Sequence, residues 1–360
     1  MSVYIHIPFC NKICSYCDFP KMLKNEKWID DYLNELEKEI KENYKGEIIE
    51  TLYIGGGTPS SLNIKELRKL FKIIKIFNIK NNAEITIEAN SEDLTNEKLK
   101  LLSKHTNRLS IGIETFNKKT LKELNRKVNV KNIANAFKYF KNINLDLMYG
   151  FKNQTLEDLK EDLNKIIELN PTHISAYSLI IEPNTKFYIN NYQNIDEDED
   201  LKMYNYIKQT LNENGYIHYE ISNFAKKEYQ SKHNLTYWNN ENYYGFGLGA
   251  SGYQNDIRYE NTRSLNKYLE GEHRKESHKL DKSETIQNEF MLGFRKIEGI
   301  NKNKFKNKFN IDINSVKEIE KLKEKKLLLE NKNNIFINPK YLYISNEILI
   351  NLIDFTLLEQ

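Results

Sequence analysis

Cysteine is nearly absent from this chain. Its 360 residues include three, and all of them fall in one eight-residue window, at Cys10, Cys14 and Cys17. An odd number cannot close fully into disulfides, and no thiol elsewhere offers a partner, so a disulfide framework is excluded. Long apolar runs are missing too. None approaches the roughly 20 residues of a membrane span, and the N-terminus lacks the basic-then-apolar pattern of a secretion signal. Neither sign of charge is in excess: 54 Lys and Arg face 51 Asp and Glu, for a net charge of +3. A pI near 8.3 is too balanced to point to nucleic acid or an anionic membrane surface. With 29% charged residues and a mean hydropathy of −0.70, the composition is that of a soluble, Lys- and Asn-rich protein with length for a large core. A cytoplasmic location is expected.

What is present is a tight cluster of soft metal ligands. The thiols are spaced Cys-x3-Cys-x2-Cys, directly after the strand-like run Val3–Ile7. Thiolates suit zinc or an iron–sulfur cluster. A cubane has four iron corners, so three cysteines leave one iron without a protein ligand, open to chemistry. The same residues could make a zinc site completed by Asp18 or a histidine, or remain unliganded loop thiols.

Strand-like and helix-like segments then alternate six times. The strand candidates are Val3–Ile7, Ile48–Ile54, Glu84–Ala89, Arg108–Ile113, Ile143–Met148 and His173–Ser178. The clearest helix is Asn63–Phe77, with Ile64, Leu67, Leu70, Phe71, Ile74 and Phe77 on one stripe. Thr95 and Thr155, the latter three residues before Asp158, read as helix N-caps. This alternation predicts an α/β fold with a parallel sheet. A full eight-fold barrel takes about 250 residues, so six units need roughly 190, near where the pattern fades. The expected architecture is a partial (β/α)6 TIM-like barrel over residues 1–190 and a barrel extension over 191–280. A small α+β, winged-helix-like domain follows over 281–360. The polar stretch 182–200 ends in an acidic run that caps a helix near Leu201–Asn214. In the tail, lysines are spread along amphipathic helices, which favours a packing or lid role over DNA binding.

In such folds function collects at the C-terminal ends of the strands. There lie the cysteine loop, Gly55-Gly56-Gly57-Thr58-Pro59, Glu88, Glu114 and Asp146. The glycine run either lets backbone N–H groups approach a ligand or makes a tight turn. Asp146 interrupts an apolar strand and should meet a polar partner or ligand, because an unpaired buried charge costs several kcal/mol. Tyr4 and His6 alternate away from Val3, Ile5 and Ile7, toward the barrel interior. Gly245–Gly252 contains Gly-x-Gly-x-x-Gly but lacks a strand–helix context, so a close-packed turn is expected instead of a nucleotide site.

Together, Tyr-Ile-His-Ile-Pro-Phe-Cys, Gly-Gly-Gly-Thr-Pro-Ser, Leu-Ser-Ile-Gly-Ile-Glu-Thr-Phe, Leu-Asn-Arg, Leu-Asp-Leu-Met-Tyr-Gly and His-Ile-Ser-Ala-Tyr-Ser-Leu resemble the radical S-adenosylmethionine (SAM) superfamily. Within it the chain resembles the oxygen-independent coproporphyrinogen III oxidase-like branch, and more closely the HemW-type heme chaperones. The resemblance implies that Cys10, Cys14 and Cys17 hold a [4Fe-4S] cluster whose open iron binds SAM. It places Tyr4 beside SAM, Gly56, Gly57 and Thr58 at the methionine part, and Glu88 there or at the ribose. Glu114, Arg126, Asp146 and Ala176 would line the sulfonium, carboxylate and adenosine side. Arg126 equally reads as a solvated cation at a helix end. His233-Asn234-Leu235-Thr236-Tyr237-Trp238 matches the group's His-Asn-x-x-Tyr-Trp motif, implying heme contact by His233, Tyr237 and Trp238.

Two departures count against porphyrinogen decarboxylation. Phe19 stands where the decarboxylating enzymes carry a fourth cysteine, and the cluster begins only nine residues into the sequence. The expected function is thus a heme chaperone that binds heme and passes it to an acceptor protein, with possible peripheral membrane association through that acceptor. Its expected partner in reduction is an electron donor such as flavodoxin or ferredoxin. The alternatives are a coproporphyrinogen III dehydrogenase and, with least support, an RNA-modifying enzyme. Whether SAM is cleaved stays open, and the sequence distance between cluster and motif points to separate sites.

Overall fold

The computed structural model describes residues 1–355. Its scaffold is one twelve-stranded sheet. Six strands alternate with helical crossovers: β1 (Ser2–Ile7), β2 (Ile49–Gly56), β3 (Ile79–Asn90), β4 (Arg108–Glu114), β5 (Asn142–Tyr149) and β6 (His173–Ser178). They pair in parallel and in sequence order. That is the expected (β/α)6 arrangement, with β3 longer than its sequence pattern indicated because polar residues at its start hid its N-terminal half. Asn63 caps the helix Ile64–Ile74 through a capping box with Glu66, and Leu67, Leu70, Phe71 and Ile74 of this helix are buried. Thr95 and Thr155 cap helices as expected. Asp196 caps Glu197–Glu213, whose first turn carries the acidic run where the helix dipole favours negative charge.

Six more strands extend the sheet: β7 (Ile217–Glu220), β8 (Asn223–Ala225), β9 (Tyr243–Phe246), β10 (Ser251–Gln254), β11 (Ile257–Asn261) and β12 (Arg274–Lys279). The order is β12-β11-β10-β9-β1-β2-β3-β4-β5-β6-β8-β7. β9 lies parallel to β1, and the other added strands pair antiparallel. This corrects the turn expected over Gly245–Gly252. Gly245 and Gly252 sit within strands, and the turn is confined to the residues between them. A Cβ at Gly245 would lie 1.9 Å from the Ser251 carbonyl oxygen, so the close approach of β10 requires glycine there.

Beyond Asp281 come the helices Lys282–Gly293, Lys302–Phe309 and Lys317–Glu324, then antiparallel strands Leu328–Glu330 and Asn334–Ile337. A two-residue strand, Ile300–Asn301, pairs with the far edge of this ribbon and was too short to read from the sequence. Phe290, Phe305 and Ile319 join the same buried cluster as Val3 and Ile5. Among the described residues, no helix is long and apolar enough to cross a membrane.

Candidate functional site

Parallel pairing puts the C-terminal ends of β1–β6 on one rim, and the cysteine loop leaves β1 there. Cys10 is buried, Cys14 and Cys17 are partly so, and all three thiols are free. The loop is pinned from the segment after β4. Ser15 N–H donates to the Leu124 carbonyl (3.0 Å), its hydroxyl donates to Glu123 O (2.8 Å), and Asn125 Nδ2 donates to Ile13 O (2.9 Å).

Arg126 ends that segment and points inward. Its side chain is 6% exposed and ion-paired with Glu114 at 2.7 Å, which overturns the reading of a solvated helix-end cation. It also donates to Asn90 Oδ1 (2.7 Å) and the Gly112 carbonyl (2.8 Å), and lies 3.7 Å from Cys14 Sγ. Tyr16 of the cysteine loop donates to Glu114 from the other side at 2.9 Å. Asn90 and Tyr16 were missed in the sequence because neither type stands out without its charged neighbour.

The glycine run owes its composition to its neighbours. Gly56 has φ +117°, and a Cβ there would strike the His6 ring at 2.7 Å. A Cβ on Gly57 would lie 2.8 Å from the Pro8 backbone and 2.9 Å from Cys10 Sγ. Their N–H groups serve the fold: Gly56 donates to Glu88 (3.0 Å) and Gly57 to Ile7 O (2.9 Å). The Thr58 hydroxyl points at Cys10 Sγ from 3.5 Å.

These residues fit an iron–sulfur cluster. Three free thiols share one pinned loop, and Thr58 and Arg126 aim donors at two of the sulfurs. Burial raises all three thiol pKa values, that of Cys17 to about 12, so bare thiolates are costly here. A metal bound to the sulfur would reverse that cost.

Inside the sheet, Asp146 finds the polar partners expected of it. Asn144 Nδ2 donates at 2.8 Å and Ser110 Oγ at 3.3 Å. The Glu88 carboxylate accepts from Tyr53 (2.7 Å) and Gly56. Burial pushes Glu88 up to about 7, with these hydrogen bonds opposing and Asp146 adding to the rise. Glu114 and Asp146 are also raised, chiefly by burial. Ala176 lies on β6, its N–H bonded to Ser222 O at 2.7 Å.

The His-Asn-x-x-Tyr-Trp segment forms the helix Lys232–Trp238, docked on β1, β2 and β3 through Ser2, Thr51 and Glu84. Glu84 accepts the N–H groups of Lys232 (3.1 Å) and His233 (3.0 Å), and Thr236 bonds Ser2 at 2.9 Å. His233 is 1% exposed. Its Nδ1 bonds Thr51 and its Nε2 bonds Tyr237, both at 2.8 Å, while its ring stacks on Tyr53. Burial lowers its pKa to about 3, so the ring is neutral. No nitrogen is left for an axial bond in this arrangement.

Tyr237 and Trp238 instead face a cavity of about 490 Å³. Tyr4 and His6 of β1 line it, and Asp18, Phe19 and Pro20 of the cysteine loop supply another wall. The motif and the cluster loop, 216 residues apart at Cys17 and His233, therefore border one space. A smaller cavity of about 250 Å³ opens beside Cys14 and Arg126. Glu88, Glu114, Asp146 and Ala176 line neither of the two.

Comparison with known proteins matches this geometry to a family. Residues 4–166 match the Radical SAM superfamily. The chain is 39% identical to the heme chaperone HemW of Lactococcus lactis over 96% of each chain. It is 37% identical to that of Bacillus subtilis, over 96% of this chain and 97% of the relative. The chain belongs to the HemW family. Against HemW of Escherichia coli the identity is 35% over 83% of each chain. Coproporphyrinogen III oxidase (HemN) from Escherichia coli, a radical SAM enzyme, superposes with a TM-score of 0.85 at 22% identity, over 98% of this chain and 89% of that one. That likeness establishes the fold. Membership of the HemW family makes a [4Fe-4S] cluster and SAM the cofactors of the radical SAM domain.

Two outcomes follow for the rim. Gly57→Ala is predicted to fold, yet to retain far less iron and sulfide than wild type after anaerobic reconstitution, as measured by metal and acid-labile sulfide analysis. In the apo protein, Glu88 binds its proton more tightly folded than unfolded, so it contributes a loss of stability as pH rises from about 4.5 to about 7. Glu88→Gln should flatten that part of the decline in urea melts near pH 5 and pH 7.5. Equal slopes in both proteins would contradict it.

Proposed function

We propose that this chain is a heme chaperone built on a radical SAM scaffold, which binds heme and delivers it to an acceptor protein. The observation that carries this reading is similarity to curated heme chaperones along nearly the whole chain. Phe19 supports it: the side chain standing at the fourth-cysteine position is 60% exposed and cannot ligate metal.

In this reading Cys10, Cys14 and Cys17 hold the cluster, and Thr58 and Arg126 temper the charge on its sulfurs. Tyr4, Gly56, Gly57, Thr58, Glu88, Glu114, Arg126, Asp146 and Ala176 form the SAM site. A bound cluster would supply one electron to SAM, delivered by a donor such as flavodoxin or ferredoxin. Arg126, paired with Glu114, keeps its guanidinium charged beside Cys14 across the physiological range. Tyr237 and Trp238 contact the porphyrin plane, for which flat aromatic rings are suited. His233 holds Tyr237 in place through its Nε2 bond and ties the motif helix to β2. An acceptor at a membrane would bring the chaperone to that surface as a peripheral protein.

Anaerobic reconstitution followed by heme titration and incubation with coproporphyrinogen, SAM and reductant tests the reading. Saturable heme uptake without formation of protoporphyrinogen is expected. Turnover to protoporphyrinogen without stable heme uptake would assign the chain to the dehydrogenase class instead.

A further inference from the structure

One face of the sheet forms a floor to the large cavity. Ser2, Tyr243, Tyr253 and Arg258 are register partners across β1, β9, β10 and β11, and directly opposed residues share a face. Tyr243, Tyr253 and Arg258 of that row line the cavity of about 490 Å³. Tyr237 of the motif helix packs edge-on against the row, its ring centroid 4.7 Å from that of Tyr243. A space of this volume is in the range of cofactor and small-molecule sites.

Proteins hold heme iron through histidine, cysteine, methionine or tyrosine. Among the described residues, no cysteine or methionine lines this cavity, and its one histidine is engaged. His6 is 2% exposed, with Nε2 bonded to the Pro20 carbonyl (2.7 Å) and Nδ1 to the Tyr4 hydroxyl (2.9 Å). That bond engages Tyr4 as well. The Tyr237 hydroxyl is bonded to His233 Nε2 (2.8 Å), and the Tyr253 hydroxyl donates to Asp256 (3.2 Å). Tyr243 differs from all of these. It is half-buried, and its hydroxyl has no hydrogen-bond partner among the described residues, yet it is not one of the unpartnered oxygens sealed from solvent. Burial raises its pKa, and Arg258 is the charge that pulls it back down. The Arg258 guanidinium is held over the Tyr253 ring at 5.0 Å, two strands along the same row. A cation there favours phenolate over phenol.

We infer that the phenolate oxygen of Tyr243 is the protein's axial ligand to ferric heme in this cavity. This rests on the heme reading above and adds to it the atom that holds the iron. As the iron–oxygen bond forms, the hydroxyl proton passes to solvent and a water leaves the iron, with no change of oxidation state. The assignment explains how a motif whose histidine has both nitrogens engaged can still serve heme. The motif helix supplies ring surface, and the strand that follows it supplies the ligand. A single protein ligand leaves the opposite face of the iron for a ligand of the acceptor, which suits a carrier that has to release its cargo.

The test uses the full chain with its cluster reconstituted anaerobically and left oxidised. Ferric heme and metal-free protoporphyrin are each titrated against wild type, Tyr243→Phe and Tyr243→His. Heme-loaded wild type should show phenolate ring modes in its resonance Raman spectrum, and these should move when the protein carries ring-deuterated tyrosine. Tyr243→Phe removes a hydroxyl that bonds nothing in the protein, so the fold should be kept. It should lose those modes and bind ferric heme about tenfold or more weakly, since even groups that only orient a metal's ligands are worth that much in metal affinity. Its affinity for metal-free protoporphyrin should not change. Tyr243→His should restore heme affinity with an imidazole-type spectrum, and carries the test should Tyr243→Phe fail to fold. A heme spectrum that is the same in wild type and both variants would overturn the assignment while leaving heme binding intact. Equal weakening for heme and metal-free porphyrin in Tyr243→Phe would place the hydroxyl against the ring instead of the iron and overturn it too. Failure of wild type to bind heme at all would remove both the assignment and the reading beneath it.

Discussion

The cysteine loop keeps its form because the segment from Glu123 to Arg126 grips it through three hydrogen bonds and one buried guanidinium. Removing that grip would leave the loop tied by the Met22 and Lys24 N–H groups at Pro8 and Cys10 and by the Phe187 N–H at Ser15, with the turn around Cys14 less well fixed. The Arg126–Glu114 pair is the costly component. Taking both charges out of water costs several kcal/mol per ion, repaid only with good geometry and further hydrogen bonds. The geometry is good, and Asn90, Gly112 and Tyr16 add three hydrogen bonds, while Arg126 Nε is left buried without a partner. Glu114 itself takes φ +58°, a strained setting for a non-glycine residue, and this turns its carboxylate toward the arginine.

Parallel pairing carries the same logic to the opposite end of the sheet. Ser2, Thr51 and Glu84 are register partners on β1, β2 and β3, and each bonds the motif helix. The helix is only seven residues long and would not be stable alone. It is held by strand side chains that satisfy its first N–H groups and its histidine. β9 then follows directly, laid against β1, so Tyr237 and Trp238 are delivered to the flank of the strand that bears the cysteine loop. A short tether and one parallel pairing thus bring two distant sequence features onto a single cavity.

Much of this was legible in the residues themselves. The six strands, the caps at Thr95 and Thr155, and the cluster loop each rest on local chemistry: alternation, capping geometry, thiol spacing. The features that escaped detection depend on partners distant in the chain. Arg126 reads as a surface cation until Glu114 and Asn90 are seen to surround it. His233 reads as a free ligand until Thr51 and Tyr237 take its two nitrogens. β7 to β12 are three to six residues long and interleaved with turns, so periodicity over a longer window cannot find them. That the cluster loop and the motif border one cavity, through Asp18, Phe19 and Pro20 and through Tyr237 and Trp238, was hidden for the same reason, since distance along the chain says nothing about a strand that returns beside β1.

The shared cavity is the most direct point of test. Zinc protoporphyrin, which is diamagnetic, can be added to the reconstituted and reduced protein, and the electron paramagnetic resonance of the cluster recorded with and without it. A porphyrin seated against Asp18, Phe19 and Pro20 lies next to Cys17 and is predicted to shift the cluster's g-values or line shape. An identical spectrum from protein with porphyrin demonstrably bound would contradict a common cavity for the two.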